Sequence, residues 1–136
     1  MKRIVFVKAL AFLCVIALFV SCKKDSPDPE SKAKTKMEII TASSWKYSKM
    51  EGKNSGVWTN QSISTCDADD RITFKTTGKA EKTFGTSCPD PVEIVNWSFT
   101  SNETKIVIDG DTFELTTLTE TTLFITGSDY RVTFSH

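Results

Sequence analysis

The sequence predicts an all-β fold: eight antiparallel strands, joined in order by short links, closing into an up-and-down barrel preceded by one short helix. Three observations carry this. Beyond residue 44 apolar residues alternate in short runs, the period of a pleated strand with one buried face, and no longer recur at helical spacing. Gly, Asn, Asp and Ser punctuate the runs at intervals of about 8 to 13 residues. Thr is concentrated between Thr112 and Thr133, where a β-branched yet polar side chain suits the outward positions of half-buried strands. A two-sheet sandwich would use the same strands; closure into a barrel is favoured because it removes exposed edges.

The first element is not part of that fold. Lys2, Arg3 and Lys8 make a basic start, and Ala9 to Val20 carries no charge. At about 12 residues this apolar run is shorter than the roughly 20 that a spanning helix needs, so it reads as the core of an export signal over residues 1–21. Phe19-Val20-Ser21-Cys22 resembles the bacterial lipobox, a bulky apolar residue and two mostly small positions before an obligatory cysteine. The resemblance implies that Cys22 is acylated through sulfur and becomes the new N-terminus; the alternative is an ordinary secretory signal in which Cys22 is incidental. Residues 22–35, with Ser26-Pro27-Asp28-Pro29, are too polar to bury apolar surface and read as a disordered tether. Each buried methylene contributes about 0.8 kcal/mol, so two or three acyl chains hold such a protein to a membrane without a transmembrane helix. The Ser-Cys-Lys-Lys-Asp junction is similar to those of Bacteroidota lipoproteins, which implies an outer-membrane anchor, on the periplasmic face or the cell surface.

The remaining elements belong to one domain, 36–136. Met37, Ile39 and Ile40, flanked by Lys and Glu38, allow one or two helical turns that lid the core. Trp45 and Tyr47 share one face of the first strand, and Gly52 to Gly56 turns it toward Val57-Trp58-Thr59 and Ile63. Arg71 to Lys75 alternates strictly, and Thr77-Gly78-Lys79 turns tightly into Ala80 to Phe84. Val95 to Phe99 alternates again; Ser101-Asn102 turns into Ile106-Val107-Ile108. Asp109-Gly110, between Ile108 and Phe113-Glu114-Leu115, is the strongest short hairpin signal in the chain. Thr122 to Thr126 comes next, Gly127-Ser128-Asp129 turns, and Tyr130, Val132 and Phe134 alternate with polar residues to the end. No further helix is expected.

Removal of residues 1–21 leaves 115 of the 136 residues, room for one modest core. It also takes three basic and no acidic residues, leaving 14 basic against 17 acidic, a net of −3 with scattered Lys, which does not fit a nucleic-acid partner. Cys14 leaves with the signal and Cys22 is acylated, so Cys66 and Cys88 remain. An even pair in an oxidising compartment reads as one disulfide, worth about 3 kcal/mol in the chain-entropy model. A metal or redox pair is the weaker reading, without C-x-x-C and with His136, the single histidine, as the last residue.

From Ala42 to Phe134 the chain resembles the small lipocalin-like domains of Bacteroidota lipoproteins. The likeness lies in Ser44-Trp45-Lys46 after a short helix, in Cys66-Asp67-Ala68-Asp69-Asp70-Arg71-Ile72-Thr73-Phe74 before a Gly78 hairpin, in Cys88, in Trp97-Ser98-Phe99, and in Leu115 to Leu123. It implies an eight-stranded barrel with room for a ligand cavity, and no catalytic residues. Strands of about 6 residues span only about 20 Å, and an eight-stranded barrel is wide enough only for its own side chains or one small ligand. Trp45, Phe74, Trp97, Phe99, Phe113, Tyr130 and Phe134 are therefore either its filling or the lining of a small cavity, and the expectation is a largely filled interior with a shallow opening at one end.

An enzyme would need a nucleophile with a base, a metal site or a phosphate cradle, and no motif for one is present; no cofactor and no metal site are expected. Asp67, Asp69 and Asp70 are read first as a turn whose carboxylates accept backbone N–H bonds beside the disulfide, and second as oxygen ligands for Ca²⁺. Asp109 and Asp111 are read as hairpin chemistry. Trp58 faces outward if Val57 and Thr59 face inward, and would then be an exposed patch for a sugar or a protein; otherwise it is core. Two functions fit: a non-enzymatic envelope lipoprotein binding a small apolar or amphipathic ligand or serving as a scaffold, and a protein-protein module such as an enzyme inhibitor or an accessory subunit of a surface complex.

Overall fold

A computed structural model describes residues 32–136, and from Ala33 onward they form one compact unit. The signal segment, Cys22 and most of the tether lie outside the described residues. The unit comprises helix α1 (Lys36–Thr41), strands β1 (Lys46–Asn54) and β2 (Val57–Gln61), helix α2 (Thr65–Ala68), and then β3 (Arg71–Phe74), β4 (Lys79–Thr83), β5 (Glu93–Thr100), β6 (Lys105–Ile108), β7 (Asp111–Leu118), β8 (Thr122–Thr126) and β9 (Tyr130–Ser135). All neighbours are antiparallel, in the order β2-β1-β9-β8-β7-β6-β5-β4-β3.

Two expectations are corrected by this topology. The strands number nine, not eight, because every apolar run in the domain pairs as a strand of its own. The sheet also does not close into a barrel: β2 and β3, its two ends, form no ladder with each other. One antiparallel bridge links β3 to the residue just before β1, with the Trp45 N–H donating to the Ile72 carbonyl and the Ile72 N–H to the Trp45 carbonyl, both at 2.8 Å. The short α2, which the alternation does not foresee, lies between β2 and β3, capped by the Ser64 hydroxyl accepting from the Asp67 N–H at 3.1 Å.

The turns obey their residues. Ser55-Gly56 and Asp109-Gly110 are two-residue loops with positive φ at both positions, joining Asn54 to Val57 and Ile108 to Asp111. The first is shorter than the expected Gly52 to Gly56 turn, because Gly52 remains paired in β1 with Thr59 and Tyr130. Two strands each carry one extra residue. Ser48 lies between Tyr47 and Lys49, which pair with the consecutive Phe134 and Thr133; Thr116 likewise lies between Leu115 and Thr117, opposite Ile125 and Phe124. An inserted residue inverts the parity of the strand beyond it. That is why Tyr47 and Met50, three apart, both line the inner face while Glu51 lies on the outer one.

Helix α1 is short, and its first turn is held by a capping box: the Thr35 hydroxyl accepts from the Glu38 N–H, and the Glu38 carboxylate accepts from the Thr35 N–H at 2.7 Å. Its buried Ile40 offers a carbonyl to the Trp45 indole N–H at 2.9 Å. Lys34 pairs with Glu120 at 2.9 Å in the β7–β8 turn, and Lys36 donates to the Glu103 carbonyl in the β5–β6 turn. Lys34 and Thr35, which the sequence places in the tether, are thus engaged with the domain, and α1 lids the end of the sheet that carries these two turns.

Candidate functional site

The interior divides into a filled half and an open one. Beneath α1, Trp45, Phe74, Trp97, Ile106 and Leu123 are buried. Phe74 meets Trp97 edge-on at 5.0 Å between ring centroids, Trp97 meets Phe99 at 5.3 Å, and the Trp97 indole N–H donates to the Lys75 carbonyl at 3.0 Å. Both indole N–H groups on this side are therefore satisfied, as burial requires. Phe99 is only partly buried and packs against the edge of this cluster.

At the other end, where the β6–β7 and β8–β9 turns lie, the interior holds a cavity of about 270 Å³. Its walls come from six strands: Tyr47 and Met50 of β1, Ile72 of β3, Ile108 of β6, Phe113 of β7, Ile125 of β8, and Val132 and Phe134 of β9. Tyr130, Asp109 and Asp111 complete the lining. Tyr130 shares the parity of Val132 and Phe134 and lines the cavity, but it is 41% exposed, because the strand begins there and its side chain stands at the rim, edge-on to Phe113 at 5.6 Å. Tyr47 stacks on Phe134 at 4.9 Å. Burial raises the pKa of both phenols, assisted at Tyr130 by the negative charge of Asp111, so both stay neutral hydroxyls able to donate. The site is an apolar pocket with two phenols and two carboxylates along its lining. Two larger hollows, of about 430 and 490 Å³, lie beside α1: Met37, Trp97 and Phe99 share the lining of the first with Thr, Ser, Asn and Glu, while Thr, Lys and Glu supply most of the second.

The wall behind Ile72 is fixed by the cysteine and aspartate cluster. Cys66 on α2 and Cys88 form a disulfide with Cα atoms 5.0 Å apart. Asp69 accepts from the Ser87 N–H at 3.1 Å and the Ser87 hydroxyl at 3.0 Å, and these bonds, the backbone one foremost, hold its pKa below the ordinary value. Asp70 is buried, accepts from the Gly85 N–H at 3.0 Å and pairs with Lys82 at 3.1 Å. A Cβ on Gly85 would overlap the Asp69 carboxylate, which is why glycine stands there. The three aspartates bond to the turn and to Lys82 through all but the buried Oδ1 of Asp69, and no group of three metal-ligating side chains occurs among the described residues.

Trp58 is neither core nor open patch. On the outer face the Arg131 guanidinium lies 4.8 Å from its ring centroid and Lys53 5.4 Å, leaving the indole half-covered. Arg131 also forms a two-pronged pair with Glu51, at 2.8 and 3.0 Å, and Lys49 adds a third contact at 3.1 Å. Hydrogen bonds from Arg131, foremost, hold the Glu51 pKa down to about 2. His136 packs its ring 4.2 Å from Trp45.

No family model and no curated protein matches the chain. Among solved structures it is similar to a lipocalin-like protein from Bacteroides uniformis, at 13% identity and a TM-score of 0.56, with 71% of this chain and 97% of that chain covered. Nine antiparallel strands curled around an apolar interior, with a helical lid at one end and a cavity at the other, give this chain a lipocalin-like fold.

Proposed function

We propose that the protein is a non-enzymatic lipoprotein, anchored through acyl chains on Cys22 in the outer membrane, and that its domain binds a small apolar or amphipathic molecule. The observation that carries the binding reading is the cavity of about 270 Å³ walled by side chains from six strands. Its size lies near the lower limit of ligand pockets, about 300 Å³, and fits a short chain or a single ring better than a long fatty acid. The anchor rests on the sequence: an uncharged run too short to span a bilayer, closed by Phe19-Val20-Ser21-Cys22.

Titration with 1-octanol, followed by amide shifts in NMR, tests the binding. Saturable shifts at Ile108, Phe113, Ile125 and Val132, abolished by Met50→Trp, which fills the pocket, are expected. Shifts absent from these residues, or untouched by Met50→Trp, overturn it. For the anchor, a fatty-acid probe should label the exported wild type and not Cys22→Ala; an unlabelled, soluble wild type overturns that part.

A second reading, a protein-protein module, is favoured by β2. It ends the sheet with its outer edge unpaired, and Val57 is 63% exposed beside Trp58 and Arg131, residue types that anchor interfaces. It predicts a partner lost on Trp58→Ala while octanol binding is retained.

A further inference from the structure

The cavity lining is one-sided in charge. Asp109 and Asp111 flank Gly110 at the turn end of the pocket, and neither carboxylate forms an ion pair among the described residues. The cation set against a lining ring, Lys82 at 6.0 Å from the Tyr47 centroid, is already paired with Asp70 at 3.1 Å and Asp67 at 3.7 Å. Arg131 and Lys49 are turned to the outer face and bound to Glu51, and Lys53 lies over the Trp58 ring on that face. Tyr47 and Tyr130 line the same pocket, and both phenols are neutral. An apolar wall, two carboxylates without an ion pair among the described residues, and two phenol rings along the lining are the complement of a short alkyl or aryl body bearing a cationic head.

We propose that the pocket selects a cationic amphiphile: a small amine or quaternary ammonium whose apolar part fills the space among Met50, Ile125 and Val132, and whose charge rests against Asp109 and Asp111. This rests on the proposed binding function and adds its ligand class. An anionic chain of the same length is disfavoured, because its carboxylate would lie beside two like charges in a pocket that no Lys or Arg lines.

The test compares octylammonium, 1-octanol and octanoate, matched in length, against the full mature chain at pH 7 and 0.15 M salt, with dissociation constants from NMR titration. Octylammonium should bind about tenfold more tightly than octanol, and octanoate more weakly than octanol, as expected for one charge near two solvent-facing carboxylates. In Asp109→Asn/Asp111→Asn the three affinities should converge; Asn-Gly keeps the two-residue turn, so the hairpin is preserved. Equal binding of all three to the wild type overturns the charge selection and leaves the cavity reading standing. Binding of none overturns both. A preference for octylammonium that survives the double substitution overturns the assignment to these two aspartates.

Discussion

Trp97→Ala probes the division of the interior into a filled and an open half. Trp97 is 4% exposed, lies between Phe74 and Phe99, and donates its indole N–H to the Lys75 carbonyl. A buried Trp removes about 150–250 Å² from water, and at about 25 cal/mol/Å² this is about 4–6 kcal/mol, an upper bound because the unfolded chain already buries part of it. Truncations of this kind cost about 3–5 kcal/mol, so we expect about 4 kcal/mol, the lost hydrogen bond included. Trp97→Phe keeps a ring against both neighbours and loses the N–H; it should cost about 0.5–1.5 kcal/mol, as water can replace the donor at the exposed Lys75. Urea denaturation at low temperature, where the variants stay folded, measures both, with the slope m expected to be unchanged. A loss below about 1.5 kcal/mol for Trp97→Ala at unchanged m would refute the packed half, since it means that the walls collapse onto the missing ring or that the ring never filled the space.

The disulfide and the Glu51–Arg131 pair give two further expected outcomes. Replacing Cys66 and Cys88 together by Ser should cost about 3 kcal/mol for a bridge across 22 positions, and non-reducing mass spectrometry of the exported protein should find no free thiol at either; two free thiols refute the pairing. The Glu51 carboxyl, held at about 2 in the folded state against an ordinary 4.5, stabilises the fold above pH 4.5, and that contribution is lost as the pH falls from there toward 2. Glu51→Gln should therefore lower stability at pH 7 and flatten the acid limb of a stability profile; an unchanged acid limb shows that the pair with Arg131 contributes nothing in solution.

The sequence alone determined what depends on neighbours along the chain. Alternation located every strand because a half-buried strand writes its environment with period two. Asp109-Gly110 and Gly78 marked their hairpins because positive φ selects residue types. Two cysteines in a domain of this kind left one pairing to make, and the aspartates beside them went to turn bonds as their residue type favours. The proposed signal and its cysteine are likewise read from a local pattern. Only the tertiary structure decided what depends on contacts between distant residues. Ser48 and Thr116 are ordinary residues in their strings, and that each is the odd one out, inverting the faces behind it, emerges only in pairing with β9 and β8. Glu51 and Arg131 stand 80 positions apart, so neither announces the other or the ring of Trp58 between them and solvent. Tyr130 has the parity of Val132 and Phe134, yet it falls at the end of its strand, where the walls run out. Whether the sheet closes is likewise decided between distant elements: β2 and β3 form no ladder, and a single bridge from Trp45, just before β1, to Ile72 of β3 spans the gap. The cavity is a property of that assembly: its lining comes from six strands spread over nearly ninety positions, and its volume is what their side chains leave unfilled.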